Sequence, residues 1–148
     1  PQILIGLSAE ALGIMATLNT LTVDYSKTRQ QFGTPISSFQ VLQHRMVDTF
    51  MACEQSKSML YRGLCESKSV SEGETDGSAL VKTVHALKAT VARYGKTIGE
   101  EAIQLHGGIG MTDELNIGHY VKRLMMINTA FGDGDYHQKK FNQISYMS

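Results

Sequence analysis

Three short stretches carry residue types that could do chemistry. The first is Arg29-Gln30-Gln31-Phe32-Gly33-Thr34-Pro35-Ile36, followed by Phe39-Gln40. An arginine beside an exposed turn can hold a phosphate through paired hydrogen bonds from its planar guanidinium. The same residues also read as a helix end, with a cation at the negative end of the dipole and a Gly-Pro stop. The second is Gln104-Leu105-His106-Gly107-Gly108-Ile109-Gly110-Met111. Its glycines permit positive φ and close backbone approach, so that peptide N–H groups could meet a phosphate or a ribose. With no strand before it, this is not a dinucleotide fingerprint, and a tight turn between helices explains it equally. The third is Phe131-Gly132-Asp133-Gly134-Asp135-Tyr136-His137, which sets two carboxylates and an imidazole at a helix break. Asp133 or Asp135 can serve there as an N-cap. A calcium loop needs a longer series of oxygen ligands, and no metal site is expected.

The elements that must position these stretches are helical. A first block runs from about Gln2 to Arg29, with Leu7, Leu12, Met15, Leu18, Leu21, Val23 and Tyr25 mostly at steps of three and four. Gly33 and Pro35 end it. A second runs from about Ser37 or Ser38, natural N-caps, to Glu66, through Val41, Leu42, Met46, Phe50, Met51, Met59 and Leu60. Ser67 to Gly77 is polar and reads as a loop. A third block spans about Ser78 to Leu105, where Gly95 and Gly99, one turn apart, predict a close helix crossing. A last block starts near Asp113 and is interrupted around Gly132 and Gly134. No alternating run is long enough for a strand. The pattern predicts an all-α fold: an antiparallel four-helix bundle, up-down-up-down, with a broken last helix.

Composition narrows the function. Lys and Arg together equal Asp and Glu, so the formal net charge is zero. A neutral chain lacks the surplus cations that nucleic-acid binding requires. No transmembrane run or signal peptide is read. Cys53 and Cys65 lie about 18 Å apart along one helix at ~1.5 Å per residue, too far for a disulfide, so both are expected as free thiols. That fits a reducing compartment: a bacterial cytoplasm by preference, or the mitochondrial matrix. His44, His85 and His119 read as surface or packing residues. The apolar opening Ile3-Leu4-Ile5 after Pro1 raises the expectation that a further segment precedes it.

The order of long helix, R-x-x-F-G-x-P-I-x-x-F-Q, two long helices, Q-x-x-G-G-x-G-M-T, Y-x-K-R and a terminal Gly break resembles the acyl-CoA dehydrogenase family, over Gly6 to about Gln143. The resemblance implies the C-terminal helical domain of an FAD enzyme, one domain over residues 1–148, whose N-terminal helical and β domains lie outside this chain. It implies α,β-desaturation of an acyl-CoA thioester, with an electron-transferring flavoprotein or similar acceptor. It also implies a homo-oligomer, dimer or tetramer, with a hetero-oligomer as the alternative. By resemblance Arg29 meets the FAD pyrophosphate, Phe32 sits against the cofactor, and Ile36, Phe39 and Gln40 lie near the adenosine half. Gln104, Gly107 and Gly108 match the stretch that approaches the ADP portion from the other subunit.

The chain departs from the family where most relatives carry an aromatic followed by Glu-Gly-Thr. Here Phe131-Gly132-Asp133-Gly134 puts Gly132 at the usual glutamate position and Gly134 at the threonine. Other relatives place the base near Ile3, which is not a carboxylate. Asp133 is then the best candidate for the base, with Glu10 next. The alternative is a non-catalytic, family-like subunit that completes a partner's flavin site.

Overall fold

The computed structural model describes residues 1–108 and 116–147. Its helices are α1 (Gln2–Thr28), α2 (Gln40–Ser71), α3 (Ser78–His106), α4 (Ile117–Thr129) and α5 (Gly134–Met147). A two-residue antiparallel pair, β1 (Gln30–Gln31) with β2 (Thr34–Pro35), and a 3-10 turn over Ile36–Ser38 link α1 to α2. The expected start of the last block near Asp113 falls outside the described residues.

The bundle is built around α3. Its inward residues Leu80, Val84, Leu87, Val91, Ile98 and Ala102 keep a helical period and form the spine of the core. The predicted crossing is present. A Cβ added at Gly95 would touch Leu124 at 3.6 Å, and one at Gly99 would touch Val121 at 3.5 Å. Because α4 residues rise as α3 residues fall, the two helices run antiparallel. The sense continues into α5, where His137 meets His85 and Phe141 lies under Lys82. Thus α4 and α5 together form the broken fourth helix. Two ion pairs fasten other corners: Arg45 to Glu101 across α2 and α3, at 2.6 Å, and Arg123 to Glu10 across α4 and α1 through both carboxylate oxygens.

Several local expectations need correction. α2 starts at Gln40 with Phe39 at its N-cap and no side-chain cap bond. Ser38 instead donates to the Pro35 carbonyl at 2.7 Å, a local side-chain bond that holds the 3-10 turn. α2 also runs on to Ser71, into the expected loop, because Val70 packs against the core and draws the last turn into the helix.

The inward face of α1 keeps the expected Met15 and Leu18, with Leu7 and Leu12 packed beside them, whereas that of α2 keeps Leu60 and Met59 and otherwise departs from the expected one. α1 buries Ile5, Ser8, Ala11, Ile14, Met15, Leu18, Thr22 and Ser26, while Leu21 is exposed. α2 buries Thr49, Ala52, Cys53, Ser56, Leu60 and Gly63, while Val41, Phe50 and Met51 are exposed. Small residues, Ser8, Ala11, Ala52, Cys53 and Ser56, share the buried faces with Ile5, Ile14, Met15, Leu18 and Leu60, and on α2 they leave Val41, Phe50 and Met51 facing outward. α1 is also long and apolar enough, by length and composition, to cross a membrane, contrary to the reading of no such run. In this fold its buried face packs on α2 and α3.

Candidate functional site

One end of the bundle gathers two of the three motifs. Because α1 and α3 end where α2 begins, Arg29, Ile36, Gln104, Gly107 and Gly108 line a single groove of about 530 Å³ with Tyr25, Leu42, Arg45, His106 and others. Both motifs therefore lie on one surface of one chain. Arg45 is tied to Glu101, and that contact raises its pKa. Arg29 is exposed, and no carboxylate among the described residues pairs with it. Among the described residues the groove thus presents one uncommitted cation, Arg29, beside polar backbone. Its floor is rigid: His106 is buried, stacks on Tyr25 at 4.5 Å between centroids, and sits 2.8 Å from the Ala102 carbonyl through Nδ1. A carbonyl only accepts, so Nδ1 carries the proton.

At the groove's edge the chain adopts an unfavourable backbone. Phe32 and Gly33 have φ of 54° and 79° and close the two-residue turn between β1 and β2. Positive φ at both turn residues is the twist-matched hairpin geometry, but a phenylalanine there is strained. Its ring is 88% exposed and edge-on to Phe39 at 6.5 Å. The fold thus overrides local backbone preference at a residue whose ring faces solvent at the rim of the groove. Gln40 is exposed at the first turn of α2. Gly107, at φ 62°, ends α3, and a Cβ there would meet nothing within 4 Å. Its N–H already bonds to the Gln104 and Ile103 carbonyls, so it is not the bare donor that the glycines suggested. Ile109, Gly110 and Met111 lie outside the described residues.

The third motif is elsewhere. It packs against α3 near Ala92, roughly 20 Å along the axis from His106 at ~1.5 Å per residue. Here Phe131 and Gly132 have φ of 58° and 103°. Lys88, wholly buried, donates from Nζ to the carbonyls of Ile127, Asn128 and Gly132 at 2.8–3.0 Å. It thereby satisfies the acceptors that the end of α4 leaves open. Burial lowers the Lys88 pKa, and Asp133 opposes that. His137 is buried; Nε2 reaches the Phe131 carbonyl at 3.1 Å and Nδ1 lies 2.8 Å from Nδ1 of His85. Nε2 must therefore donate, which leaves His137 Nδ1 to accept from His85. Sequence reading passed over Lys88, although a lysine one residue after Leu87 on the apolar stripe was the available signal.

Asp133 is exposed, and its Oδ1 accepts from the Tyr136 N–H at 2.8 Å, so it caps α5. It also lines a separate open pocket with Arg93, Lys96, Asn128 and Asp135. Gly132 has no room for a side chain: a Cβ would stand 2.5 Å from Cδ1 of Tyr136. Glu10 is held by Arg123, whose hydrogen bonds lower its pKa and make it a poorer base.

Residues 5–142 match the family described as acyl-CoA dehydrogenase, C-terminal domain. The chain is 36% identical over 117 residues to acyl-CoA dehydrogenase IpdE2 of Mycolicibacterium smegmatis, covering 79% of this chain and 34% of that protein. It is 30% identical over 133 residues to the L-prolyl-[peptidyl-carrier protein] dehydrogenase of a Serratia species, covering 90% of this chain and 33% of that one. Among solved structures, the FAD complex of PigA superposes with a TM-score of 0.81 at 27% identity, over 95% of this chain and 35% of that one. The chain thus spans about a third of the length of these curated relatives.

Proposed function

We propose, on the premise that this chain belongs to the acyl-CoA dehydrogenase family as its C-terminal domain, that it forms one wall of an FAD site. The observation that carries this is the groove in which Arg29 and the Gln104–Gly108 turn, far apart in sequence, face one ligand-sized space. The residues fit the cofactor. Arg29 is placed to neutralise pyrophosphate charge, Gly107 and Gly108 leave space for close approach, and Ile36 and Leu42 offer apolar surface to a base. Phe32, edge-on to Phe39, and Gln40 at the first turn of α2 are exposed and belong to the same proposed site. The likeness to the FAD complex of PigA supports the same assignment.

The reaction proposed for the whole protein is α,β-desaturation of an acyl thioester, acyl-CoA in the first instance, with electrons passing to an electron-transferring flavoprotein or similar acceptor. When bound, the flavin supplies the acceptor for the β-hydrogen as hydride. The protein must supply a base for the α-proton, and the thioester carbonyl must be polarised. Asp133 is this chain's candidate base. Association of bundles into an oligomer, a role in fatty-acid metabolism and a cytoplasmic location belong to the same reading. The free thiols of Cys53 and Cys65 are compatible with that location.

A second reading has its own support. With Tyr136 filling the space beside Gly132 and the Asp133 carboxylate engaged as a cap, this chain suits a family-like subunit that carries no base and completes a partner's flavin site.

The test of the cofactor assignment is Arg29→Ala in the natural polypeptide that carries this chain. Loss of a hydrogen bond to a charged group costs about 1.5–3 kcal/mol, so FAD retention on gel filtration should fall by roughly ten- to a hundredfold. Unchanged FAD affinity removes Arg29 from the site.

A further inference from the structure

The outward face of α2 carries a row of large side chains that nothing among the described residues covers. Val47, Phe50, Glu54, Lys57, Tyr61 and Leu64 follow one another at alternating steps of three and four, so they lie along one side of the helix. Thr49, Cys53, Ser56, Leu60 and Gly63 each precede a member of the row, so the core-facing side of the helix lies about 100° round from it at ~3.6 residues per turn, and the row runs along the flank of the bundle. The four apolar members of the row are about half exposed, from 46% at Leu64 to 59% at Phe50. Glu54 is exposed and Lys57 partly so, 3.5 Å from each other.

The spacing is that of a coiled-coil seam, whose apolar positions recur every 3.5 residues on average. The order is the informative part. From either end the row reads two apolar residues and then a charge, with acid and base on the two sides of the midpoint between Gln55 and Ser56. Laid antiparallel on a second copy about a two-fold axis at that midpoint, Val47 meets the second copy's Leu64 and Phe50 meets its Tyr61. Glu54 then meets its Lys57, twice by symmetry. A parallel pairing would instead set Glu54 against Glu54 and Lys57 against Lys57. A two-fold interface must be self-complementary, and this row is so only in the antiparallel sense. A charged layer in an otherwise apolar seam fixes register at some cost in stability.

We infer that two copies of this chain associate through α2, antiparallel, with the Glu54–Lys57 layer on the two-fold axis. This rests on the oligomer of the proposed function and names its surface. The test is sedimentation of the natural polypeptide, with reductant present, over a range of concentrations. E54K alone gives a copy with two lysines in the central layer, and K57E alone one with two glutamates. Each single variant should dissociate about tenfold or more readily than wild type at low salt, since two attractive pairs become repulsive. An equimolar mixture of the two should form mixed pairs with near wild-type affinity, and so should the double variant E54K/K57E with itself. The mixture still lacks the Glu54–Lys57 contact within each helix, so recovery reports the contact between copies. Phe50→Lys should abolish association with the helical circular dichroism unchanged. The inference is overturned by single variants that associate like wild type, which would assign the face to another domain or another protein. A wild-type chain that stays monomeric, or a mixture with no preference for mixed pairs, overturns it equally. FAD binding, read separately through Arg29, stands or falls without reference to this seam.

Discussion

The chain contains two Phe-Gly turns, Phe32-Gly33 and Phe131-Gly132, and these supply its two non-glycine positive-φ residues among those described. Their local geometry is alike and their surroundings are opposite. A Cβ at Gly33 would meet nothing within 4 Å, whereas one at Gly132 would run into Tyr136 and His137. The first turn projects a ring from the rim of an open groove. The second folds back on a buried lysine and a pair of imidazoles. The lesson is that a strained turn identifies a place where the fold overrides local preference, but not the reason. At Phe32 the surrounding space points to a ligand. At Phe131 the hydrogen bonds point to the joining of two helices.

The largest expected effect lies on the closed side. Lys88→Ala would leave three carbonyls without their donor and open a void, at a cost of about 3 kcal/mol or more in stability. A urea denaturation midpoint within error of wild type would remove Lys88 from the architecture. Next come the glycines themselves. Gly33→Ala should cost about 1–2 kcal/mol for its left-handed backbone alone. Gly132→Ala should cost clearly more, because Tyr136 must also move. Equal melting temperatures for the two variants would erase the contrast between open and closed turns.

A smaller effect follows from pH. Burial is the leading cause that lowers both imidazoles below their usual 6.5; Lys140 and the Pro1 amine add to this for His85. For His137 the Phe131 carbonyl and Asp133 act upward while His85 and Lys88 act downward. Below pH 6.5 the unfolded chain then binds protons that the folded chain refuses. The pair's contribution is full above that pH and is lost as pH falls through and below it. The pair can take a first proton at Nε2 of His85 with its bonds intact. A second, on Nδ1 of His137, sets two donors head to head. Thermal stability measured from pH 7 to pH 5 should decline less in His137→Gln than in wild type; parallel declines would clear the pair of this role.

The smallest effect is the most useful for function. Asp133→Asn should change stability by only a few tenths of a kcal/mol, since asparagine caps a helix as well as aspartate does. If flavin reduction by substrate is lost while FAD binding and stability hold, the carboxylate is the base. If reduction is normal, the base lies elsewhere in the protein or on a partner.

Helix type and order were legible in the sequence, because few breakers interrupt three long periodic blocks. The α3 core residues and the Gly95–Gly99 crossing could be placed for the same reason: α3 has a clean apolar stripe and a polar remainder. In α1 the stripe was right except at Leu21, while in α2 it was misplaced at Val41, Phe50 and Met51. Apolar residues occur on several sides of these helices, and Phe50 and Met51 look like core until Ala52, Cys53 and Ser56 are found to face inward. Side-chain size argues for one face and backbone approach for the other, and only the packed bundle resolves the contest.

The sites divide in the same way. Sequence determined which residues could meet phosphate: Arg29 by its charge at a helix end, Gly107 and Gly108 by their backbone freedom. Tertiary structure decided that these face one groove, since helix direction brings the ends of α1 and α3 together with the start of α2. It also decided that Gly107's N–H belongs to its own helix and that Asp133 is a cap as well as a carboxylate. Lys88 became the partner of three backbone oxygens for the same physical reason: such bonds join residues some forty positions apart, a separation over which no local pattern has reach.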